Sequence, residues 1–137
     1  MKKLIHTYKD VSLTTRRDIF FSLVKSVCGQ QVSVASANAI FQRLKKKCGG
    51  KIKPKIINRL SIISLRKCGL SRMKALGLKD ISKKIITKEF KPSMLRKMND
   101  EEAIIYLSSL RQIAVWSGMM ILIFTLNRPN IWPTYDK

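Results

Sequence analysis

Few side chains in this sequence have the types and spacing that conventional catalysis needs. One histidine, His6, is present, too few for a histidine-rich metal site or a convincing Ser-His-Asp set, and no glycine-rich phosphate loop occurs. Cys28, Cys48 and Cys68 each precede a glycine and stand twenty residues apart, as a repeat or a metal cluster would. The flanking residues do not match, however, and the four ligands of a structural zinc site are poorly supplied. Glycines that end helices are the simpler account of the pairs. Eight carboxylates remain. Asp100, Glu101 and Glu102 fall in the first turn of an expected helix, where the dipole favours acids, and Asp10, Asp18, Asp80 and Glu89 lie among basic residues as ordinary surface polarity. Asp136 is the only acid after Glu102, in a proline-containing loop beside Trp132 and Tyr135. By residue type alone it is either a turn residue or a catalytic group.

Charge is the second chemical signal. Lys and Arg number 28 against 8 acids, a formal net charge of +20, far beyond what solubility requires. A polyanionic partner is expected, nucleic acid before an anionic membrane, because a basic surface gains affinity by releasing counterions from phosphates. A merely solvated surface would mix both signs. No continuous basic amphipathic helix with an aromatic face is present, which argues against a membrane partner. The first residues, MKKLIHTYKD, have no long apolar core behind them and do not read as a signal peptide. Met119 to Leu126 is too short to span a bilayer and reads as a buried helix. With three thiols that read as reduced, these features lead us to expect a cytoplasmic, nucleoid-associated protein with no membrane partner.

The elements that must position this chemistry are helical. The 45% apolar content suits one globular domain over residues 1–137, with an N-terminal arm over 1–18. Phe20, Leu23, Val24 and Val27 follow the spacing of a helix with one buried face, entered from Thr15 or Asp18 and stopped at Gly29. Ser33 is expected to cap a second helix with Val34, Ala37, Phe41 and Leu44 on one face and Lys45, Lys46 and Lys47 at its negative end. That lysine run is either helix termination or phosphate contact. Pro54 starts a short helix, Ser64 another that ends at Gly69, and Ser71 a longer one to about Ile86 with Leu78, Ile81 and Ile85 inward. Asn99 caps a helix to Leu110 with Ala103 and Leu107 inward, and a tight connection leads to a last helix from Trp116 to about Asn127. No segment alternates as a strand does, so the predicted fold is all-α.

The order of these parts resembles a known family. A helix, a tight turn, an apolar helix opening with tryptophan and then R-P-N-I-W-P-x-x-D is similar to the helix-hairpin-helix DNA glycosylases, in particular the DNA-3-methyladenine glycosylase II group. V-C-G-Q-Q-V-S-V-A-S-A at Val27 to Ala37 and C-G-L-S-R-M-K at Cys68 to Lys74 look like two further segments of that group. The resemblance runs from about Phe20 to Asp136. It implies a helix-hairpin-helix unit over 100–127, a catalytic loop over 128–137, and a monomer that acts on double-stranded DNA carrying alkylated bases. The implied chemistry is hydrolysis of the N-glycosidic bond of a base flipped out of the duplex, with Asp136 as the catalytic carboxylate. Trp116 and Met120 would line the base pocket, and Gln31 would fill the gap left in the duplex. Where related bifunctional enzymes have a catalytic lysine this chain has Trp116, which implies a monofunctional enzyme that leaves the strand uncut.

Two departures from the family pattern stand out. The hairpin, where glycines of a G-I-G or G-V-G segment let backbone amides approach a DNA phosphate, often with a bound monovalent cation, is here Gln112, Ile113 and Ala114. The chain also stops one residue after Asp136, where the family continues with further helices; the expectation is a truncated domain lacking its C-terminal helices. Iron-sulfur members hold their cluster with cysteines after the aspartate, and no cluster is expected here. The alternative reading of the whole is a degenerate or truncated glycosylase-like protein that binds DNA without catalysis.

Overall fold

The computed structural model describes residues 18–128, which form seven α-helices, one 3-10 helix and no strand. Helix α1 is Ile19–Gly29, α2 Val34–Lys47, α3 Pro54–Arg59, α4 Ile62–Lys67, α5 Arg72–Ile86, α6 Asp100–Ser108 and α7 Val115–Phe124, with the 3-10 helix Pro92–Lys97 between α5 and α6. None is long and apolar enough to cross a membrane among the described residues.

Short polar side chains start these helices by accepting from backbone N–H groups that have no intrahelical partner. Asp18 accepts from the N–H of Phe21 at 2.9 Å, Ser33 from Ser36 at 3.1 Å and Ser71 from Lys74 at 3.2 Å. Helix α4 begins earlier than expected: Ser61, not Ser64, is its cap, because Ser61 Oγ accepts from the Ser64 N–H at 3.0 Å. Asn99 and Glu102 complete a reciprocal capping box at the head of α6. The predicted glycine stops hold, although only two of the three have left-handed glycines. Gly49 and Gly69 have φ of +73° and +108°, and the N–H groups of Gly49 and Gly50 close α2 on the carbonyls of Lys46 and Lys45. Gly29 is the last residue of α1, and the left-handed residue after that helix is Gln31, at φ +56°.

The core joins one face of every helix. Leu23, Val24 and Val27 of α1 meet Phe41 and Leu44 of α2, Leu78 and Ile81 of α5 and Leu122 of α7, all buried. Val34, expected on the inner face of α2, is 78% exposed; α1 ends at Gly29 opposite Ala37, so nothing covers the turn where Val34 stands. Helices α6 and α7 pack closely at Gly118, where an added Cβ would lie 3.5 Å from Leu107 Cβ. The Phe90 and Tyr106 rings stack at 4.4 Å, with the Tyr106 hydroxyl accepting from the Lys91 N–H at 2.7 Å, and so bind the segment after α5 to α6. Cys28, Cys48 and Cys68 are buried free thiols; burial pushes the Cys28 thiol up to about 12 against the opposing charge of Lys74.

Replacing Asn99 by Ala removes one half of the capping box and is expected to cost about 1 kcal/mol. Urea unfolding followed by circular dichroism would register this as a lower midpoint with an unchanged slope.

Candidate active site

The turn between α6 and α7 is the expected hairpin, and its backbone divides the two outer positions of the replaced glycine motif. Gln112 has φ +72°, the left-handed region that favours glycine, whereas Ala114 has φ −89° and ψ 175°, extended backbone open to any residue. The substitution therefore strains one position, not both. Ile113, expected to contact DNA, is instead a core residue, 3% exposed, and its N–H donates to the Leu110 carbonyl at 3.2 Å. It has neither a side chain nor an amide to offer a phosphate. Ala114 has no side-chain cap hydrogen bond to give α7, so the first N–H groups of this helix face out at its positive end.

The hairpin is held against two other elements. Gly77 of α5 receives the Gln112 side chain so closely that a Cβ there would stand 2.4 Å from Gln112 Cγ. The Gln30 side-chain amide donates to the Gln112 carbonyl, and Lys74 Nζ donates to the Gln30 carbonyl at 2.5 Å. The C-terminus of α1, the start of α5 and the hairpin thus meet at one point. Around it opens a cleft of about 1010 Å³, bounded by Lys25 and Gln31 on one side, Met73 and Lys74 on another, and Trp116 and Met120 on the third.

Every described residue to which the sequence assigned a role lies on this cleft. Gln31 is exposed at its edge in the left-handed conformation noted above, a backbone state that a non-glycine residue holds at a cost and that concentrates at functional sites. Trp116 is 54% exposed, so it is a cleft wall and not a core tryptophan. Met120, one turn further along α7, lines the same wall. The residues that sequence reasoning missed are Lys25, Gln30, Met73, Lys74 and Gly77. Gln30, Met73 and Lys74 had a signal, as members of the two quoted family segments; Lys25 and Gly77 depend on how distant helices meet.

Asp136, with Trp132 and Tyr135, lies outside the described residues. The segment that carries it leaves from Arg128, whose N–H donates to the Leu122 carbonyl at 3.0 Å. The Arg128 guanidinium donates to Asp100 Oδ1 at 3.1 Å and to the Leu95 carbonyl at 2.7 Å. A monovalent cation at the hairpin would be held by backbone carbonyls. Those of Ser108, at the C-terminal end of α6, and Ile113 accept no hydrogen bond among the described residues. These two would be the ones left to hold such an ion, whose charge would offset the negative end of α6. Among the described residues no group of His, Cys, Asp and Glu is arranged to hold a metal.

Comparison with known proteins gives this arrangement its class. Residues 24–137 match the family described as HhH-GPD superfamily base excision DNA repair protein, and the chain belongs to that family. It is 31% identical over 141 residues to DNA-3-methyladenine glycosylase 1 of Schizosaccharomyces pombe, covering 98% of this chain and 60% of the relative. To the alkylbase DNA glycosidase-like protein mag2 of the same organism it is 27% identical, covering 84% of this chain and 56% of mag2. Among solved structures, the DNA-3-methyladenine glycosidase of Bacillus halodurans superposes with a TM-score of 0.76 at 29% identity, over 80% of this chain and 51% of that one. The S. pombe 3-methyladenine DNA glycosylase Mag1, solved in complex with abasic DNA, gives 0.72 at 33% identity, over 80% of this chain and 55% of that one. The chain spans about half the length of the relatives it matches.

Gly77→Ala would drive a methyl into Gln112 and push the hairpin off α5. We expect a loss of about 1–3 kcal/mol in stability, as for other overpacked contacts, and a larger relative loss of duplex DNA affinity measured by fluorescence anisotropy. Wild-type affinity in a destabilised variant would show that the hairpin position does not matter for DNA.

Proposed function

We propose that this chain is a monofunctional DNA glycosylase of base-excision repair, acting as a monomer on double-stranded DNA to excise alkylated purines of the 3-methyladenine type. The observation that carries the reading is the cleft. It gathers Gln31, an exposed tryptophan, a methionine and an open helix terminus into one concave surface, and the 3-methyladenine glycosylases of S. pombe and B. halodurans are among its relatives. The reading includes a location at the DNA, expected from the sequence to be cytoplasmic at the nucleoid.

The chemistry runs from the lesion itself. Flipping a base out of the stack costs a few kcal/mol, least where pairing is already weakened, and Gln31 would fill the gap from the cleft edge. An N-alkylated purine carries positive charge, so the Trp116 face would attract it with about 1–2 kcal/mol once water is excluded. Because that base departs as a neutral molecule, it needs no proton donor, which suits a site with one carboxylate. Asp136 would stabilise the oxocarbenium charge that develops on the sugar and orient the attacking water, an interaction worth most where charge appears in the transition state. Trp116 offers no amine for a covalent imine, so the strand would remain intact at the abasic site. The Lys25 and Lys74 ammonium groups and the α7 terminus would contribute phosphate contacts around the cleft.

The test is incubation with duplex DNA containing a single N-methylated purine. We expect chromatography to show release of free base, with strand scission only after alkali. Asp136→Asn should slow release by roughly 100- to 1000-fold, the range for loss of one preorganised electrostatic contact, while duplex binding is kept. A folded sample that binds the duplex and releases no base would support the alternative of a DNA-binding protein without catalysis.

A further inference from the structure

The connection between α1 and α2, residues 30–33, is held more tightly than the joining of two helices requires. Ser33 caps α2 at one end. At the other, the N–H, the carbonyl and the side-chain amide of Gln30 are all engaged. The N–H donates to the Val27 carbonyl at 3.3 Å and so closes α1, which is ordinary helix termination. The carbonyl accepts from Lys74 Nζ at 2.5 Å, and the side-chain amide donates to the Gln112 carbonyl. These two partners stand 44 and 82 positions away in the sequence. A short link between neighbouring helices needs neither of them.

Gln31, the next residue, is the opposite case. It is exposed and makes no hydrogen bond among the described residues, and its backbone stands at φ +56°. Gln112, to which Gln30 is tied, is left-handed too, at φ +72°. Residues other than glycine keep that conformation only where the surrounding structure imposes it. Gln30 acts on both, because it precedes one in the chain and donates to the carbonyl of the other. Gln112 has a further hold in its nesting against Gly77, whereas Gln31 depends on its neighbours in the chain. We propose that Gln30 is a positioning residue for base flipping. By tying the connection to α5 and to the hairpin, it fixes the angle at which Gln31 meets the duplex, so that the turn beside the DNA backbone and the side chain that fills the gap move as one body. The inference rests on the reading of the chain as a glycosylase that flips its substrate base. Lys74 keeps two N–H groups for phosphate while the third holds Gln30.

The variant Gln30→Met keeps the length of the side chain and the backbone carbonyl and removes only the amide donor. It is compared with the wild-type chain, with Gln31→Ala and with the double variant, protein in excess, on duplexes whose single N-methylated purine is either correctly paired or opposite a mismatched base. Leaving the stack costs least at a mismatch, so a defect in filling the gap should be seen in the paired duplex and shrink at the mismatch. A general loss of folding would slow both alike. We expect Gln30→Met to slow release from the paired duplex by about three- to tenfold, the rate equivalent of one hydrogen bond. Affinity for undamaged duplex should hold, since Gln112 stays on Gly77. Added to Gln31→Ala, the substitution should have no further effect, because a residue that acts through another is not additive with it. Flipping is followed apart from chemistry by the fluorescence of 2-aminopurine placed beside the lesion, whose rise on binding should be smaller in Gln30→Met. Wild-type rates and fluorescence in that variant, equal slowing on both duplexes, or additive losses in the double variant would each overturn the positioning role while wild-type base release leaves the glycosylase reading standing. A smaller fluorescence rise in Gln30→Met, in a protein whose wild type releases no base, would keep the positioning role and remove catalysis. If the wild-type chain binds the duplex with no rise at all, both readings fall.

Discussion

At Gly77 the helix α5 has no side chain, and the space a methyl group would take holds Cβ and Cγ of Gln112, 3.1 and 2.4 Å from where that carbon would stand. The geometry of the cleft depends on this nesting. The hairpin has to reach α5 for its Gln112 carbonyl to meet the Gln30 amide and for Trp116 and Met120 to face Gln31 across open space. Glycine in a helix interior normally costs about 1 kcal/mol relative to alanine. Here that cost is offset by an approach no other residue permits, so a position that local propensity would fill differently is set by a contact with a turn 35 residues away in sequence.

The second constraint is the distribution of helix ends. Five of the seven α-helices begin at a side-chain cap, and α2 to α5 carry basic residues in their last turn. Helices α3 and α7 lack such a cap: Pro54 opens α3, whereas α7 starts from Ala114 with no capping side chain. A surface helix without a cap gives up about 1 kcal/mol, while its free N–H groups and positive pole form a place for an anion. Gln112, two residues before Ala114, holds a left-handed conformation that favours glycine. The turn keeps this shape at a conformational cost, as residues at functional sites often do.

Much of this architecture was legible in the sequence, and the pattern of success is physical. Capped helices with regular apolar spacing were located closely: Ser71 to Ile86 falls where it was expected, and Asn99 is the cap that was expected. Residues at element ends were less secure. Two serines three apart compete for one cap at Ser61 and Ser64, and Val34 satisfies the periodicity of α2 while standing past the last turn of its neighbour. The 3-10 helix at Pro92–Lys97 has no periodicity to announce it. In the site, family motifs pointed to Gln31, Trp116 and Met120, which the fold brings to one cleft, but they also implicated Ile113, whose side chain and amide are both engaged inside the protein. Gly77 was illegible because its importance arises only from long-range contact, and Gln30, although inside a family segment, showed its bond to the hairpin only in the fold.

In the proposed function, the cleft wall and the basic groups at its edge would divide the problem of recognition. Phosphate contacts are long-ranged and indifferent to sequence, so they hold the duplex without selecting a lesion. An aromatic wall acts only at contact and favours a cationic base over a neutral one, yet with about 1–2 kcal/mol it cannot retrieve a base from DNA that is not already bound. Lys25 and Lys74 border the same cleft as Trp116, and ammonium groups that attract phosphate would repel a cationic purine. The arrangement is self-consistent only if those groups engage the backbone when the base enters, so that neutralisation by DNA removes the repulsion at the moment the tryptophan has to act. Backbone binding would then be a precondition of base selection, in addition to a source of affinity.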